Sequence, residues 1–404
     1  MSAADKNWAG ISPKLALLRI LQEEESSMID TLLSEERKLF RDAVRKFAGT
    51  EILPYVKTWE KQRQYPEEYY RKIGEMGFMG LMVPEEFGGS GGSIVDVVIL
   101  GEEMGRVGVS IPLTHISACC RSIAMHGNRD QKQRYLPDMA SGRKIGSYCQ
   151  TEPNAGSDSA NMTSFAGKKD GYYILNGRKT FISNAGRAGV FVVLAKTEKD
   201  KGSKGISVFI VDRDSPGVSV GKDEEKMGRH CSSLNDVIFE DVKVPTENLL
   251  VAAGKGFKEM MVEFNSERCG NSSLCIGMAQ GAYERALNYC KTRIQFGKPI
   301  ADFQGIRWTL AEMAIQIQAA RLLVYDAAFK AEQGKVIAKE AAMAKKFANE
   351  MSISVVDKAI QLYGAYGYMA EYEVERYYRD VRGWSMGGGT TQICLNRLAH
   401  ELLK

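Results

Sequence analysis

The sequence predicts an α+β fold in which a middle block of β-strands separates two helical regions. Hydrophobic residues recur with a helical period up to about Ser141 and again beyond Gly254, whereas four short runs between them are rich in β-branched and aromatic residues. Strands segregated from helices in this way argue against a doubly wound parallel sheet. A chain of 404 residues exceeds the size at which one core usually stops growing, so we expect two or three domains.

The N-terminal region is predicted to be a helical domain over residues 28–145. Ser34 can cap a helix because its hydroxyl can accept a hydrogen bond from a first-turn amide, and Glu35 and Glu36 follow it. Similar helical patterns continue to about Ser141, with a break at the turn-rich segment 88–92. Residues 1–27 carry three consecutive glutamates and no long apolar run, so we expect a loose extension rather than a signal peptide.

The middle region, residues 146–255, is predicted to be a β domain. Asn176 and Gly177 form a hairpin turn signal, so we expect two strands to reverse direction there. The strand candidates are 172–175, 190–195, 206–211 and 237–244.

The C-terminal region, residues 256–404, is predicted to be helical again. The pattern over 310–334 indicates a long helix that ends at a glycine. Gly364 and Gly367 follow a helix rather than a strand, so this stretch fails the context that a dinucleotide-binding loop requires. Residues 386–393 read MGGGTTQI, and three successive glycines predict a loop because glycine is a poor helix former.

Composition and charge exclude several classes of protein. A net charge of +4 is too small for this length to predict strong nucleic-acid binding. The four histidines and eight cysteines form no pair with metal-ligand spacing, so no metal site is predicted. No apolar run reaches the ~20 residues that a membrane span needs. Scattered free thiols favour a reducing, cytoplasmic location.

Five segments in order carry a resemblance to one enzyme family. They read YCQTEPNAGSD at 148–158, FISN at 181–184, RIQFG at 293–297 followed by Gln304, QLYGAYG at 361–367, and YRD at 378–380. From about Met28 onward the chain resembles the acyl-CoA dehydrogenase family. Asn154 stands where the family usually has glycine, and Phe181 stands where tryptophan is common.

The resemblance implies an N-terminal α-helical domain, a middle β-barrel or β-sandwich domain and a C-terminal four-helix bundle, usually assembled as a homotetramer. It also implies FAD between the middle and C-terminal domains. Thr151 and Ser183 would hydrogen-bond the flavin ring, Phe181 would pack against it, and Arg293 would offer a planar cation to pyrophosphate. Taken singly, these polar residues could equally satisfy strand ends or lie on the surface. The implied cofactor-binding residues are Tyr148, Gln150, Thr151, Gly156, Ser157, Phe181, Ser183, Arg293, Phe296, Gln304, Gln361, Gly364, Thr390 and Gln392.

The reaction implied by the resemblance needs a carboxylate that removes the α-proton of an acyl-CoA thioester. Many family members carry it in a Tyr-Glu-Gly-Thr run, but residues 387–390 read GGGT, which puts Gly388 at the glutamate position. Isovaleryl- and long-chain-type members carry their glutamate at the position that Glu267 matches. The alternative is that Glu267 is a surface residue paired locally with Arg268.

Helical spacing supports Glu267 independently of the resemblance. It falls on a largely apolar face, where desolvation would raise its pKa and make it a better base. The members of this face are Met260, Phe264, Glu267, Asn271, Leu274 and Met278.

The resemblance also explains the loop with three successive glycines at 387–389, called the glycine loop below. Gly388 would leave space for the carboxylate of Glu267, and its backbone N–H would help polarise the thioester carbonyl. Gly387, where tyrosine is common, would widen the pocket, so we expect a branched, cyclic or otherwise bulky acyl group. His115 is expected to be a packed histidine rather than a catalyst. The implied substrate-binding residues are Thr114, Ser157, Arg268 and Gly387.

The leading hypothesis is an FAD-dependent acyl-CoA dehydrogenase that passes electrons to an electron-transfer flavoprotein. A second hypothesis is a relative on the same fold that needs no base, such as an oxidase, a flavin monooxygenase or a desulfinase-like enzyme. A third is a flavin-free binding or assembly protein that has kept the scaffold.

Overall fold

The computed structural model describes residues 28–404, and the extension expected over 1–27 lies outside them. Side chains cap several helices of the first region. The Ser34 hydroxyl accepts a hydrogen bond from the amide of Arg37 at 3.3 Å, which confirms the predicted cap, and Ser93 and Asn128 form capping boxes. The helices are α1 (Glu35–Phe47), α2 (Val56–Gln62), α3 (Glu67–Glu75), α4 (Ile94–Arg106), α5 (Arg121–His126) and α6 (Arg129–Ala140).

The middle region is a mainly antiparallel sheet whose two halves pack face to face. Its strands are β1 (Ile145–Cys149), β2 (Phe165–Lys169), β3 (Tyr172–Ser183), β4 (Ala188–Lys196), β5 (Ile206–Asp212), β6 (Val218–Val220), β7 (Leu234–Pro245) and β8 (Leu249–Val251). One half contains β6, β7, β3 and β2, and the other contains β1, β4, β5 and β8. Phe165 pairs with Lys196 where the halves join. Tyr173 and Phe209 meet between the layers with ring centroids 5.0 Å apart, as in a β-sandwich.

The hairpin predicted at Asn176 and Gly177 is wrong. Strand β3 runs through both residues, and its register with β7 shifts between Leu175 and Gly177, which is a β-bulge. The Asn176 amide donates to Asp241 Oδ1 at 3.0 Å and accepts from the Asp241 N–H at 2.9 Å. These bonds hold the bulge across to β7, so the chain bends here without reversing. The turn that precedes β3 lies at Gly171, whose φ is +77°.

The C-terminal region is a helical bundle with one small hairpin. The helix predicted over 310–334 begins earlier, at Gln304. The sequence pattern did not indicate this start because the first turn is exposed and lacks the apolar period. Gly334 follows the end of the helix with a φ of +74°, as predicted. Within residues 28–404, no helix is both long enough and apolar enough to cross a membrane. The elements are α7 (Gly256–Thr292), β9 (Ile294–Gln295), β10 (Lys298–Pro299), α8 (Gln304–Glu332), α9 (Ala338–Tyr363), α10 (Val374–Trp384) and α11 (Thr391–Leu402).

Helix α7 packs against α4 of the first region as closely as backbones allow. A Cβ placed on Gly105 of α4 would lie 2.5 Å from the carbonyl oxygen of Leu274, and one placed on Gly277 of α7 would overlap the carbonyl oxygen of Glu102. Glycine is therefore required on both helices. This contact fixes the helix that carries Glu267 against the first region. The domain boundaries after residues 145 and 255 stay predictions from the sequence.

Candidate active site

Glu267 lies on the inward face of α7, with 6% of its surface exposed. Burial removes favourable hydration from a carboxylate, and it is the largest influence on the pKa of Glu267, which is raised. Every residue of α7 from Asn265 to Ala279 is buried, so burial does not single out one face of the helix. The other residues predicted to share a face with Glu267 are buried or half-buried: Met260, Phe264, Asn271, Leu274 and Met278.

Gly388 lies against the carboxylate of Glu267. It belongs to the loop between α10 and α11, as predicted for the glycine run. A Cβ built on Gly388 would lie 2.5 Å from Glu267 Oε2, and the φ of Gly388 is +69°, a conformation that side chains other than glycine rarely adopt. The carboxylate of Glu267 therefore leaves no space for a side chain at position 388, and the positive φ disfavours one independently of Glu267.

The carboxylate of Glu267 is buried but not paired. Among the described residues Oε2 has no hydrogen-bond partner, so this oxygen is free to accept a proton. Three cations lower the pKa of Glu267 against the larger effect of burial: Lys345 contributes most, followed by Arg268 and Arg229. The site thus combines a desolvated carboxylate with nearby positive charges.

Arg268 is engaged by neighbours other than Glu267. Its Nη1 donates to Asn265 Oδ1 at 3.0 Å, and its Nε donates to the carbonyl oxygen of Gly388 at 3.4 Å. Within residues 28–404, Glu267 and Arg268 form no ion pair, so the local-pair alternative for Glu267 is wrong. Arg268 instead ties α7 to the glycine loop.

Sequence reasoning missed Lys345, which is 1% exposed on α9. Its Nζ donates to the carbonyl oxygen of Trp384 at 3.0 Å, at the end of α10. The available signal was a lysine at 345 inside the run AAMAKK, where the helical period points it to the core rather than to solvent.

The residues expected near a flavin ring lie at two adjacent strand ends. Thr151 follows β1 and Ser183 ends β3, and the Thr180 N–H donates to the Thr151 carbonyl oxygen at 2.9 Å. Within the described part of the chain, neither the Thr151 nor the Ser183 hydroxyl has a protein hydrogen-bond partner, and Gln150 Oε1 is buried without one. Phe181 projects beside them, 63% exposed. The buried, unpartnered Gln150 Oε1 next to Thr151, together with the exposed ring of Phe181, favours a ligand over simple strand-end capping.

A wider stretch around these strand ends is also open. Gly156 and Ser157 are exposed, and a Cβ on Gly156 would meet nothing within 4 Å. Tyr148 lies behind them, buried in β1 against Phe264 of α7, with ring centroids 5.3 Å apart. Its hydroxyl is buried with no partner among residues 28–404.

A second set of predicted cofactor residues lies elsewhere on the surface. Arg293 extends over the ring of Tyr366 at 5.6 Å, which brings it to the segment that follows Gln361 and Gly364. Phe296, at the tip of the β9–β10 hairpin, is 94% exposed. Gln304, at the start of α8, is exposed too. No hydrogen bond, ion pair or ring contact among the described residues joins this set to Thr151 and Ser183.

Thr390 and Gln392 begin α11. The Thr390 hydroxyl accepts a hydrogen bond from the Ile393 N–H at 3.2 Å, so Thr390 is an N-cap. Gln392 is exposed. A capped helix start beside the glycine loop leaves first-turn N–H groups directed outward.

His115 is a packing residue. Its Nδ1 accepts from the Gly146 N–H at 2.8 Å, and its Nε2 donates to the Met139 carbonyl oxygen at 3.1 Å. Burial lowers the pKa of His115 to about 4, so the ring is neutral at pH 7. The structure thus confirms the predicted packing of His115. Thr114, its neighbour, is half-buried, whereas Gly387 is exposed.

Comparison with known sequences identifies the family. Three models match the chain: the acyl-CoA dehydrogenase N-terminal domain at residues 34–143, the middle domain at 147–242 and the C-terminal domain at 254–403. The chain belongs to the acyl-CoA dehydrogenase family. Acyl-CoA dehydrogenases are flavoprotein oxidoreductases that act on the CH–CH group.

Individual acyl-CoA dehydrogenases and related enzymes match over nearly the whole chain. An acyl-CoA dehydrogenase of Bacillus subtilis is 40% identical over 364 residues, which cover 89% of this chain and 96% of that one. The caffeyl-CoA reductase–Etf complex subunit CarC of Acetobacterium woodii is 43% identical over 371 residues, or 91% and 97% of the two chains. The structure of butyryl-CoA dehydrogenase from Megasphaera elsdenii has a TM-score of 0.88 at 36% identity and covers 92% of this chain and 99% of that one.

Proposed function

We propose that the protein is an FAD-dependent acyl-CoA dehydrogenase whose general base is Glu267. The observation that carries the proposal is the contact between Glu267 and Gly388: the carboxylate takes the space that a side chain at 388 would need. A glutamate at one position and a glycine at the other therefore form one arrangement. This reciprocity separates the proposal from the base-independent alternatives, because nothing in those would require an unpaired buried carboxylate here.

The residues of this chain carry the proton and the developing charge. Glu267 accepts the α-proton of the thioester through Oε2, the oxygen without a protein partner. The Gly388 N–H, which has no backbone partner among the described residues, donates to the thioester carbonyl oxygen and stabilises the negative charge that develops there. FAD, when bound, supplies the acceptor for the hydride that leaves the β-carbon. Loss of the α-proton and the β-hydride leaves the 2-enoyl-CoA.

The cofactor fits the unpartnered groups at the strand ends. Thr151, Ser183 and Gln150 offer hydrogen bonds to the flavin ring, and the exposed ring of Phe181 offers it a packing surface. The open backbone at Gly156 and Ser157 permits close approach, and Tyr148 supports it from behind.

The second set of residues would complete the FAD site of a neighbouring subunit in a homotetramer. Among the described residues, no hydrogen bond, ion pair or ring contact joins Arg293, Phe296 or Gln304 to Thr151 or Ser183, as expected of a set that serves another chain. Arg293 supplies a permanent charge for pyrophosphate. The remaining proposed cofactor contacts are Gln361, Gly364, Thr390 and Gln392.

The acyl group is proposed to be branched, cyclic, aromatic or otherwise bulky. A Cβ on Gly387 would meet a single atom, 4.0 Å away, so this wall of the site is open. Thr114, Ser157 and Arg268 are the other proposed substrate contacts. The caffeyl-CoA reductase subunit among the relatives, named with an Etf complex, favours an aromatic acyl group and an electron-transfer flavoprotein as partner.

The same relative supports a second candidate function, reduction of a 2-enoyl-CoA in the reverse direction. The groups at Glu267 and Gly388 serve both directions, because a base that removes the α-proton also returns it. Measuring flavin reduction by acyl-CoA esters and flavin reoxidation by the matching enoyl-CoA esters, across straight, branched, cyclic and aromatic chains, identifies the substrate and the favoured direction.

The decisive test of the base is Glu267→Gln. Glutamine keeps the size of the side chain but cannot accept the proton, so anaerobic flavin reduction by substrate should fall by about 10,000-fold. FAD content should be retained. Glu263→Gln is the matched control, because Glu263 is buried one turn earlier on α7 and is already paired with Arg121. Near-normal flavin reduction in Glu267→Gln would remove Glu267 from the mechanism.

A further inference from the structure

Lys345 is a buried ammonium group without a carboxylate partner. Its side chain is 1% exposed, and its Nζ forms no ion pair within residues 28–404. Its one hydrogen bond in the described part of the chain goes to the neutral carbonyl oxygen of Trp384. Burying an unpaired charge is costly, and burial lowers the pKa of Lys345. A role that needs the charge at this place would explain why the fold retains it.

The hydrogen bonds around Lys345 connect three helices. Asn349, one turn later on α9, donates to the same Trp384 carbonyl oxygen at 2.6 Å and to Asn271 Oδ1 at 3.0 Å. Asn271 follows Glu267 by one turn of α7. Trp384 is the last residue of α10, where unpaired carbonyl groups attract a cation. The network therefore links the helix of the base, α9 and the point from which the glycine loop starts.

The charges that face Glu267 come from several elements. Arg268 lies on α7, Lys345 on α9, and Arg229 on the segment before β7. Arg268 is held by Asn265 and the Gly388 carbonyl oxygen. Arg229 stacks on the Trp384 ring at 3.7 Å and lies beside Asp380, which offsets its charge. The remaining titratable groups near Glu267 are Tyr148, Cys269, Cys275 and Cys394.

Those four groups do not change charge in the range where enzymes are assayed. Burial raises the pKa of Cys269 and of Cys275 to about 12, and it also raises the pKa values of Cys394 and Tyr148. All four are neutral at pH 5 to 9, roughly the span over which a catalytic carboxylate titrates. Lys345 is thus one of three cations near Glu267, and of the three it lowers the pKa of Glu267 most.

We propose that Lys345 is a positioning residue for proton abstraction: its ammonium holds the start of the glycine loop at Trp384, and its charge keeps Glu267 ionised inside the buried site. The proposal rests on Glu267 being the base. An ionised Glu267 is needed at the moment when the α-proton leaves, and burial alone opposes that ionisation. Lys345 supplies the largest opposing field, and Asn349, one turn later on α9, bonds Asn271, which follows Glu267 by one turn of α7.

The test is the pH dependence of anaerobic flavin reduction in the FAD-loaded enzyme. A base works only when deprotonated, so the rate rises with pH through its apparent pKa. In Lys345→Met the apparent pKa should rise by about 1 unit or more, since an opposite charge nearby is worth roughly 1 to 3 units. The rate at pH values below the apparent pKa should fall about tenfold or more and recover at higher pH. Lys345→Arg keeps the charge and should keep the pH profile.

Asn349→Ala is the matched control. It removes a hydrogen bond to the same Trp384 carbonyl oxygen but no charge, so it should lower the rate equally at all pH values. An unshifted pH profile in Lys345→Met would overturn the proposal and leave Lys345 as a structural cap of α10. If Lys345→Met does not fold, Lys345→Gln replaces it, because glutamine can still donate a hydrogen bond to the Trp384 carbonyl oxygen. The apparent pKa should rise in Lys345→Gln as well. Normal flavin reduction in Glu267→Gln would instead contradict the proposal that Glu267 is the base. Failure of that proposal is thus distinguished from failure of the proposal for Lys345.

Discussion

The three successive glycines of the active-site loop allow steric and conformational effects to be separated. The variant Gly388→Ala should reduce its flavin about 100-fold more slowly than the unchanged protein. The new Cβ would lie 2.5 Å from Glu267 Oε2, whereas ordinary contact begins near 3.4 Å, so the carboxylate must move by about 0.9 Å. A displacement of about 1 Å at a reacting group costs roughly 100-fold in rate. The positive φ of Gly388 adds about 1 to 2 kcal/mol of backbone strain to the folded state.

The neighbouring glycines provide matched controls. Gly389 also has a positive φ, +97°, but a Cβ there would lie no closer than 3.5 Å to any atom, so Gly389→Ala has the strain without the collision. The variant Gly389→Ala should lose about as much stability as Gly388→Ala, but its rate of flavin reduction should fall by less than about tenfold. Gly387→Ala has neither effect on Glu267 and should change the preference among acyl chains. The assays are stopped-flow flavin reduction and thermal unfolding.

Combining the loop variant with a variant at the base sharpens the test. In Glu267→Gly the carboxylate is gone, so adding Gly388→Ala should cause little further loss of rate, and the two effects should not add. Equal losses for Gly388→Ala and Gly389→Ala would refute the reasoning, since strain alone would then account for both. A relocated base, Glu267→Gly with Gly388→Glu, should recover part of the activity that Glu267→Gly loses and should favour less bulky acyl chains.

Two further predictions concern assembly and stability. Arg293→Ala should lower FAD content and the tetramer fraction, measured by absorbance and light scattering, whereas Lys291→Ala, two residues earlier and exposed, should leave both unchanged; a stable monomer with full FAD would contradict the shared site. His115 has a folded-state pKa of about 4 against an ordinary value of 6.5, so its contribution to stability is present above pH 6.5 and is lost as the pH falls towards 4. The loss reaches about 3 kcal/mol at pH 4, and His115→Gln should weaken the pH dependence of the melting temperature across this window; an unchanged dependence would contradict it.

Local patterns in the sequence predicted the features that depend on one element. The cap at Ser34, the end of α8 before Gly334 and the glycine loop each follow from a residue type or a period within a single segment. The hairpin at Asn176 failed because the same dipeptide suits a bulge, and the choice depended on Asp241 of β7, 65 residues away. A local signal does not contain the partner that decides between its two outcomes.

The candidate site likewise contains residues that the sequence predicted and one residue that it did not. The pairing of Glu267 with Gly388 followed from the family resemblance, and the structure then supplied the distance. Lys345 escaped notice because a lysine in a helix is usually on the surface, and its burial arises where α7, α9 and the end of α10 meet. Such a meeting of three segments has no signature in any one of them.

The backbone contact between α4 and α7 ties the position of Glu267, the proposed base, to glycines on a distant helix crossing. Gly277 is ten positions from Glu267, about 15 Å along the helix. A methyl group at Gly277 would force α7 away from α4 and carry the distant carboxylate with it. Selectivity could thus drift through changes of one carbon atom at a remote helix crossing, while every residue that lines the pocket stays the same.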